Sequence, residues 1–196
     1  HGSLFSGIGG FDLGFERAGF RSIWQVEIEP YCQAVLAKHF PEAKRYSDIR
    51  SVHGVLANSA KPRQLREKQQ ENNREGTIRE SSNDTHQEGE GNSYGCLQTP
   101  TVITGGFPCQ PFSVAGKRRG QQDDRYLWPE MCRVIEEVRP AWVVAENVPG
   151  IIKTALDTVL SDLEAIGYST GTLVVPACAF DAPHRRERVW IVGYAG

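Results

Sequence analysis

One cysteine stands in a setting that suits nucleophilic chemistry. Cys109 lies between two prolines in segment 105–113, Gly-Gly-Phe-Pro-Cys-Gln-Pro-Phe-Ser. The glycines permit a sharp turn of the backbone and the prolines stiffen it. The apolar residues Val102 and Ile103 before the turn predict a buried parallel strand, and open α/β sheets bind ligands at the carboxyl ends of such strands. The alternative is that Cys109 is a small buried hydrophobic residue, as free cysteines usually are.

Polar side chains also flank two later apolar segments. Residues 141–145 predict a second buried strand, which ends at Glu146-Asn147-Val148. The basic segment 181–188 precedes another apolar stretch, 189–194. Adjacent strand ends would bring the Glu146 carboxyl group and the Cys109 thiol together. Taken singly, Glu146 could be an exposed strand-end carboxylate and the arginines a solvated entrance to a strand.

The first residues have the pattern of a nucleotide-type site. A strand end at Ser3-Leu4-Phe5 runs into the glycine-rich turn 6–10, and Phe11, Phe15 and Ala18 follow at helical spacing. In such a turn the backbone can approach a ligand closely, and the N–H groups of the helix start face it. A plain tight turn is the alternative, because a short glycine loop alone is weakly specific.

Acidic residues close the next two predicted strands. The strand 23–26 ends at Glu27, about twenty residues after the glycines, where nucleoside sites hold ribose hydroxyls. Asp48 and Ile49 end a third short segment, where an acid could meet an adenine amino group. The alternative for Glu27 is a solvated carboxylate, and the glycine turn favours the ribose interpretation.

The remaining pattern predicts an α/β sheet with helices on both faces. We expect helices over 30–40, 127–138 and 156–166, with strands near 170–175 and 189–194 closing the sheet. Segment 51–98 is polar from about residue 61 and buries too little apolar surface to fold, so it is expected to be a disordered insertion. Segment 114–126 is expected to be a mobile loop that closes over substrate.

Composition excludes several classes of protein. The 196 residues suffice for one domain, with 39% hydrophobic residues and a net charge of −2. The five cysteines are scattered without a Cys-x-x-Cys pair, which argues against a disulfide framework and against a metal site. There is no apolar run long enough for a membrane span and no signal peptide, so we expect a cytoplasmic protein.

Four of these segments, in order, resemble the motifs of DNA (cytosine-5) methyltransferases. They are Phe-Ser-Gly-Ile-Gly-Gly at 5–10, Gly-Phe-Pro-Cys-Gln-Pro-Phe-Ser at 106–113, Glu-Asn-Val at 146–148 and Arg-Glu-Arg at 186–188. His184 stands where many members have glutamine. The resemblance covers nearly the whole chain except 51–98.

The resemblance implies a Rossmann-like fold that is dependent on S-adenosylmethionine, with a mostly parallel sheet and an antiparallel final strand. It implies that Phe5 stacks on adenine, that Glu27 holds the ribose and that Asp48 holds the adenine amine. The glycines would admit the methionine part of the cofactor. The complete implied cofactor set is Phe5, Gly7, Gly9, Gly10, Glu27, Ile28, Asp48, Ile49, Pro108 and Leu127.

The resemblance also implies a covalent mechanism on a cytosine flipped out of double-stranded DNA, as in restriction–modification systems. The Cys109 thiolate would add to C6 and make C5 nucleophilic. Glu146 would bind N3 and the exocyclic amine. Arg188 would hold O2, with Arg186 on a phosphate or the base, and Asn147 would fix the catalytic loop.

The sequence ends soon after the arginine motif, whereas the family continues into a target-recognition region and a final helix. We therefore expect 1–196 to be a single truncated catalytic domain, with a second polypeptide or further residues supplying recognition, and to act weakly alone. Two alternatives stay open. An RNA cytosine-5 methyltransferase would use the same cysteine and glutamate, and a non-catalytic remnant would bind only the cofactor or a partner.

Overall fold

A computed structural model describes residues 1–54, 95–108 and 126–196. Over these residues the strands are β1 (Gly2–Leu4), β2 (Trp24–Val26), β3 (Lys44–Tyr46), β4 (Val52–Gly54), β5 (Gly95–Leu97), β6 (Val102–Gly105), β7 (Trp142–Asn147), β8 (Ser169–Val175) and β9 (Arg188–Tyr194). The helices are α1 (Gly10–Arg17), α2 (Pro30–His39), α3 (Trp128–Val138) and α4 (Leu156–Ala165). Short 3₁₀ turns occupy Ile49–Ser51, Pro149–Lys153 and Ala177–Phe180.

Seven strands form one sheet in the order β3-β2-β1-β6-β7-β9-β8. The pairs from β3 across to β7 are parallel, whereas β9 runs antiparallel to both β7 and β8. The expected Rossmann-like sheet, mostly parallel with an antiparallel final strand, is therefore confirmed. The final strand lies between β7 and β8 rather than at the edge.

The order of the strands reverses at β1. From β1 the chain first moves outward through α1 and α2 to β3, and later moves the other way from β6 through α3 to β7. Because crossovers between parallel strands are right-handed, the two sets of helices cover opposite faces of the sheet. The carboxyl ends of β1 and β6 therefore border the crevice in which doubly wound sheets bind ligands.

The main core lies between the sheet and helices α3 and α4. The amphipathic helix expected over residues 127–138 is confirmed, because α3 buries one face, which consists of Trp128, Met131, Val134, Ile135 and Val138. Nε1 of Trp128 donates to Oδ2 of Asp162 at 2.7 Å, which joins α3 to α4. A separate small cluster under α2 contains Leu36, Phe40 and Ala43. Burial of the large side chains supplies most of the stability of such a sheet.

The segment expected to be disordered, 51–98, has ordered margins. Val52–Gly54 and Gly95–Leu97 pair in parallel as a small second sheet, and Val52 is fully buried in the main core. The sequence-based boundary was too wide here because a few apolar residues suffice to dock a strand once a core exists. Residues 55–94, like most of the expected mobile loop 114–126, lie outside the described part of the chain.

Strand β7 is longer than the apolar run that predicted it. It continues through Glu146 and Asn147 because these residues pair with Trp190 and Val189 of β9. The polar end of the strand is therefore held in the sheet rather than projecting from a loop. Among the described residues, no helix is long and apolar enough to cross a membrane.

Candidate active site

Glu146 and Arg188 form an ion pair at the ends of neighbouring strands. Glu146 lies near the end of β7 and Arg188 begins β9, and Nε of Arg188 lies 2.6 Å from Oε1 of Glu146. The two side chains are only 25% and 21% exposed. Opposite charges at this distance in a half-buried site attract each other strongly. The pair thus presents a carboxylate and a guanidinium side by side.

The backbone before Cys109 lies against this carboxylate. A Cβ atom placed on Gly106 would stand 3.3 Å from Oε2 of Glu146, which is tighter than most real contacts. The glycine therefore allows the start of the cysteine loop to approach Glu146. Pro108 is half-buried and is the last described residue of the loop. Cys109 itself lies outside the described residues.

Asn147 joins the same loop to the sheet. Its side chain is 5% exposed, and Nδ2 donates to the carbonyl oxygen of Phe107 at 3.0 Å. Its Oδ1 accepts from the backbone N–H of Val148 at 2.9 Å. Both ends of the amide are used, so the side chain fixes a loop residue two positions before Cys109.

A large open cavity of about 530 Å³ adjoins the ion pair. It is mostly apolar, and its polar lining comes from Glu146, Arg186 and Arg188. Arg186 has a φ of 38°, a left-handed conformation that costs a non-glycine residue energy and so marks a constrained site. The other lining residues are Gly10, Phe11, Gly14, Phe15, Ala18, Val175, Pro176, Ala177, Phe180 and Trp190.

The apolar face expected on α1 borders this cavity instead of the core. Phe11, Phe15 and Ala18 all line it, and Phe11 meets Trp190 edge-on at a centroid distance of 5.7 Å. Asp12 is the buried residue of α1. Spacing alone could not distinguish a core-facing stripe from one that borders an opening. The contribution of Trp190 and Phe180 was likewise missed.

A second, smaller pocket collects most of the expected cofactor residues. It is lined by Phe5, Val26, Glu27, Ile28, Ser47, Asp48, Ile49, Arg50 and Leu127. These residues come from the ends of β1, β2 and β3 and from the residue before α3. The turn after β3 contributes Asp48, Ile49 and Arg50 to the lining, and in it Oδ1 of Asp48 accepts from the N–H of Arg50 at 2.9 Å. The pocket combines aromatic and aliphatic walls with two carboxylates.

Glu27 is oriented by backbone donors. Its Oε2 accepts from the N–H of Gly7 at 2.7 Å, and its Oε1 accepts from the N–H of Glu29 at 2.8 Å. Each carboxylate oxygen retains a second lone pair. The side chain therefore ties the glycine turn to the end of β2 and can still accept hydrogen bonds from a ligand.

The glycine turn has a left-handed backbone at three positions. Phe5, Gly7 and Gly9 have φ values of 52°, 54° and 91°. A Cβ on Gly9 would stand 2.4 Å from Cε2 of Phe40, so this glycine packs the turn against α2. Of the remaining expected cofactor residues, Gly10 lines the large cavity, and Pro108 lines neither the large cavity nor the smaller pocket.

One buried network beneath the turn was not anticipated. Asp12 is fully buried, and its Oδ1 accepts from Ser22 Oγ at 2.9 Å and from Gln25 Nε2 at 3.0 Å. These bonds attach the first turn of α1 to the residues around β2. An acidic residue in the first turn of a helix interacts favourably with the helix dipole. This position was the sequence signal for a structural role of Asp12.

Two of the described cysteines, Cys132 and Cys32, differ from a catalytic thiol. Burial, followed by the negative charges of Asp162 and Glu136, raises the pKa of Cys132 to about 11. The pKa of Cys32 is also raised, by desolvation and then by Glu27 and Glu29. A thiol with a raised pKa forms little of the nucleophilic thiolate. In the described part of the chain, no group of three or more His, Cys, Asp or Glu residues could hold a metal ion.

The sequence is similar to those of several type II methyltransferases. The chain is 33% identical over 196 residues to the type II methyltransferase M.PspPI of Psychrobacter sp. (strain TA137), covering 97% of this chain and 38% of that protein. It is 32% identical over 206 residues to M.AquIA of Picosynechococcus sp., covering 97% of this chain and 70% of that protein. The chain thus spans about two fifths of the first relative.

Solved structures share the fold at low identity. The DNMT2 structure of Spodoptera frugiperda matches with a TM-score of 0.63 and 17% identity, covering 99% of this chain and 50% of that one. The Dnmt2 methyltransferase of S. pombe matches with a TM-score of 0.60 and 20% identity, covering 98% and 50%. The sequence model of C-5 cytosine-specific DNA methylases matches residues 1–62 and 70–196. The chain belongs to the C-5 cytosine-specific DNA methylase family.

Proposed function

We propose that the protein transfers a methyl group from S-adenosylmethionine to C5 of cytosine in double-stranded DNA, through a covalent bond between Cys109 and C6 of the base. Membership in the family supports the reaction class. The observation that carries the proposal is the Glu146–Arg188 pair, 2.6 Å apart, beside the loop that leads to Cys109. This geometry offers a carboxylate and a guanidinium to a base within reach of the loop.

The proposed reaction begins at the Cys109 thiolate. It adds to C6, which breaks the C5–C6 double bond and places electron density on C5. C5 would then take the methyl group, with the donor sulfur keeping the electron pair of the broken carbon–sulfur bond, and loss of the C5 proton to a general base would expel the thiolate and restore the C5–C6 double bond. Glu146 binds N3 and the exocyclic amine as charge develops in the ring, and Arg188 binds O2. The ion pair must open for the base to enter between the two groups.

The smaller pocket, of about 60 Å³, is lined by residue types that suit the adenosine end of S-adenosylmethionine. An aromatic ring at Phe5 can stack on a purine, and Ile28, Ile49 and Leu127 supply apolar walls. Glu27 retains lone pairs for ribose hydroxyls, and Asp48 in the same lining is proposed to accept from the adenine amine. When bound, the cofactor supplies a methyl group on a positively charged sulfur.

We further propose that residues outside these 196, in the same or in a second polypeptide, supply target recognition. The chain spans only 38% of M.PspPI, and a net charge of −2 gives it no strong general attraction for DNA. The 196-residue chain alone is therefore expected to methylate DNA weakly or not at all. Robust, sequence-specific turnover by the isolated chain would contradict this.

A mechanism-based trap tests the covalent step. Duplex DNA in which 5-fluorocytosine replaces the target cytosine should leave a persistent adduct on the complete protein in the presence of S-adenosylmethionine, because fluorine cannot leave as a proton does. Cys109→Ala should form no adduct and no product, whereas Cys178→Ala, at an exposed thiol, should do both. Absence of an adduct with active wild-type protein would overturn the covalent mechanism.

Substrate class requires its own comparison. Methyl incorporation into duplex DNA and into tRNA should be measured in parallel with the same protein. Incorporation into DNA alone supports the proposal. Incorporation into tRNA alone would assign the same cysteine and glutamate to an RNA methyltransferase.

A further inference from the structure

The guanidinium of Arg133 makes hydrogen bonds both within α3 and to the segment after β3. This residue lies on α3 with a side chain 27% exposed, and its guanidinium contacts the chain on both sides of the 3₁₀ turn after β3. Nη2 donates to the carbonyl oxygen of Ile49 at 2.9 Å, and Nη1 donates to that of Val52 at 3.1 Å. These two bonds connect segments that are more than 80 positions apart in sequence.

Two glutamates on α3 hold the guanidinium in this position. Nε of Arg133 donates to Glu130 at 2.9 Å, and Nη1 donates to Glu137 at 3.0 Å. They balance the positive charge and orient the planar group, so that Nη1 donates both to Glu137 and to the Val52 carbonyl oxygen while Nη2 donates to that of Ile49. A lysine ammonium cannot reproduce this, because it is a single point donor on a flexible stem.

The turn that Arg133 holds is one wall of the smaller pocket. Asp48 caps the turn, and Ile49 is 3% exposed and lines the pocket. Leu127, immediately before α3, lines the pocket as well. Arg133 therefore attaches one wall of the pocket to the helix that carries another. Without it, the bonds to the Ile49 and Val52 carbonyl oxygens would be lost, and the position of Asp48 relative to Leu127 would depend on the remaining contacts, among them the ion pair between His53 and Glu137 at 3.5 Å.

We infer that Arg133 is a positioning residue that sets the spacing of the adenosine end of the cofactor pocket. This inference rests on the proposed use of S-adenosylmethionine. Arg133 does not line the pocket, so it acts through the Ile49 carbonyl and the turn capped by Asp48. Its loss should weaken binding of any ligand with an adenosine group while leaving DNA binding and the chemical step little changed.

The test compares Arg133→Lys with Arg17→Lys, the same substitution at an exposed position at the end of α1. Affinity for S-adenosylhomocysteine and for 5′-methylthioadenosine is measured by calorimetry on the complete protein. Arg133→Lys should weaken both by about tenfold or more and raise KM for S-adenosylmethionine, with kcat and KM for DNA within about twofold of wild type. Arg17→Lys should match wild type in every measurement.

The outcomes separate the two proposals. If wild-type protein binds neither adenosine ligand, the proposed cofactor is wrong. If wild type binds and Arg133→Lys binds equally well, the positioning role is wrong. A purely structural role would lower the binding stoichiometry at unchanged affinity, which also overturns the inference. Should Arg133→Lys fail to fold, Glu130→Gln removes one orienting carboxylate and is expected to weaken adenosine binding severalfold, and unchanged affinity there would refute the role.

Discussion

Replacing Asn147 by aspartate isolates a single hydrogen bond to the cysteine loop. The two side chains have the same shape, and the oxygen that accepts from Val148 at 2.9 Å is retained. The Nδ2 donor to the Phe107 carbonyl, at 3.0 Å, becomes an oxygen. Attraction at that contact is therefore replaced by repulsion between two acceptors, at a side chain that is only 5% exposed.

The size of the effect follows from the burial of the partner. Phe107 is 2% exposed. Loss of one partner in such a buried pair costs about 1–3 kcal/mol. If this energy is what keeps the loop in position, kcat for methyl transfer should fall roughly 5- to 150-fold, while affinity for S-adenosylhomocysteine stays near wild type. Asn147→Ala should show a similar loss of kcat.

The introduced aspartate should also make the loss of rate depend on pH. Burial beside a carbonyl raises the pKa of the new carboxyl group, because it penalises the charged form. Below that pKa the carboxyl carries a proton and can donate to Phe107 again; above it the repulsion is complete. The ratio of mutant to wild-type single-turnover rates should therefore rise as the pH falls, whereas the ratio for Asn147→Ala should stay constant. Rates of Asn147→Asp equal to wild type at pH 8 would refute the role of this bond.

Two further predictions concern the rest of the site. Gly9→Ala should lower the free energy of unfolding by about 2 kcal/mol or more in denaturant titrations, because φ is 91° and the new Cβ would meet Phe40 at 2.4 Å. The control is Gly10→Ala. It has open space around the new Cβ and should change the free energy of unfolding by about 0.5 kcal/mol at most. Iodoacetamide at pH 8 should modify Cys178 and spare Cys132, whose pKa of about 11 leaves it protonated until the pH approaches that value. Peptide mass spectrometry would measure both, and equal rates would contradict the assigned burial.

The large cavity gives the proposal for additional residues a physical basis. Phe11 and Phe15 expose apolar surface along α1, and Phe180 is 79% exposed on the opposite rim. Apolar surface of this kind usually marks a site that another element covers. The proposed catalytic pair Glu146 and Arg188 opens into the same cavity. A covering element would therefore also control access of solvent to the proposed base site.

The sequence alone determined the residue types of the site and the architecture that carries them. Apolar runs such as Val102-Ile103 and 141–145 form strands because they are rich in strand-forming residues, and the polar residues that follow then lie at one edge of the sheet. β6 is buried throughout, whereas in β7 Trp142 is 43% exposed, which the apolar run did not predict. The glycine turn and Glu27 were also identifiable. Each is a local feature whose chemistry depends on the neighbours in sequence.

Only the tertiary structure decided which distant groups meet. The Glu146–Arg188 contact depends on β9 inserting antiparallel beside β7, and the bond from Asn147 to Phe107 depends on the register of β6 with β7. Arg133 has no sequence signal, because its partners Ile49 and Val52 lie more than 80 residues away and are backbone carbonyls, which every residue possesses. The hydrophobic pattern of a segment indicates its type of secondary structure, whereas the contacts between distant segments are set by the packing of the whole sheet.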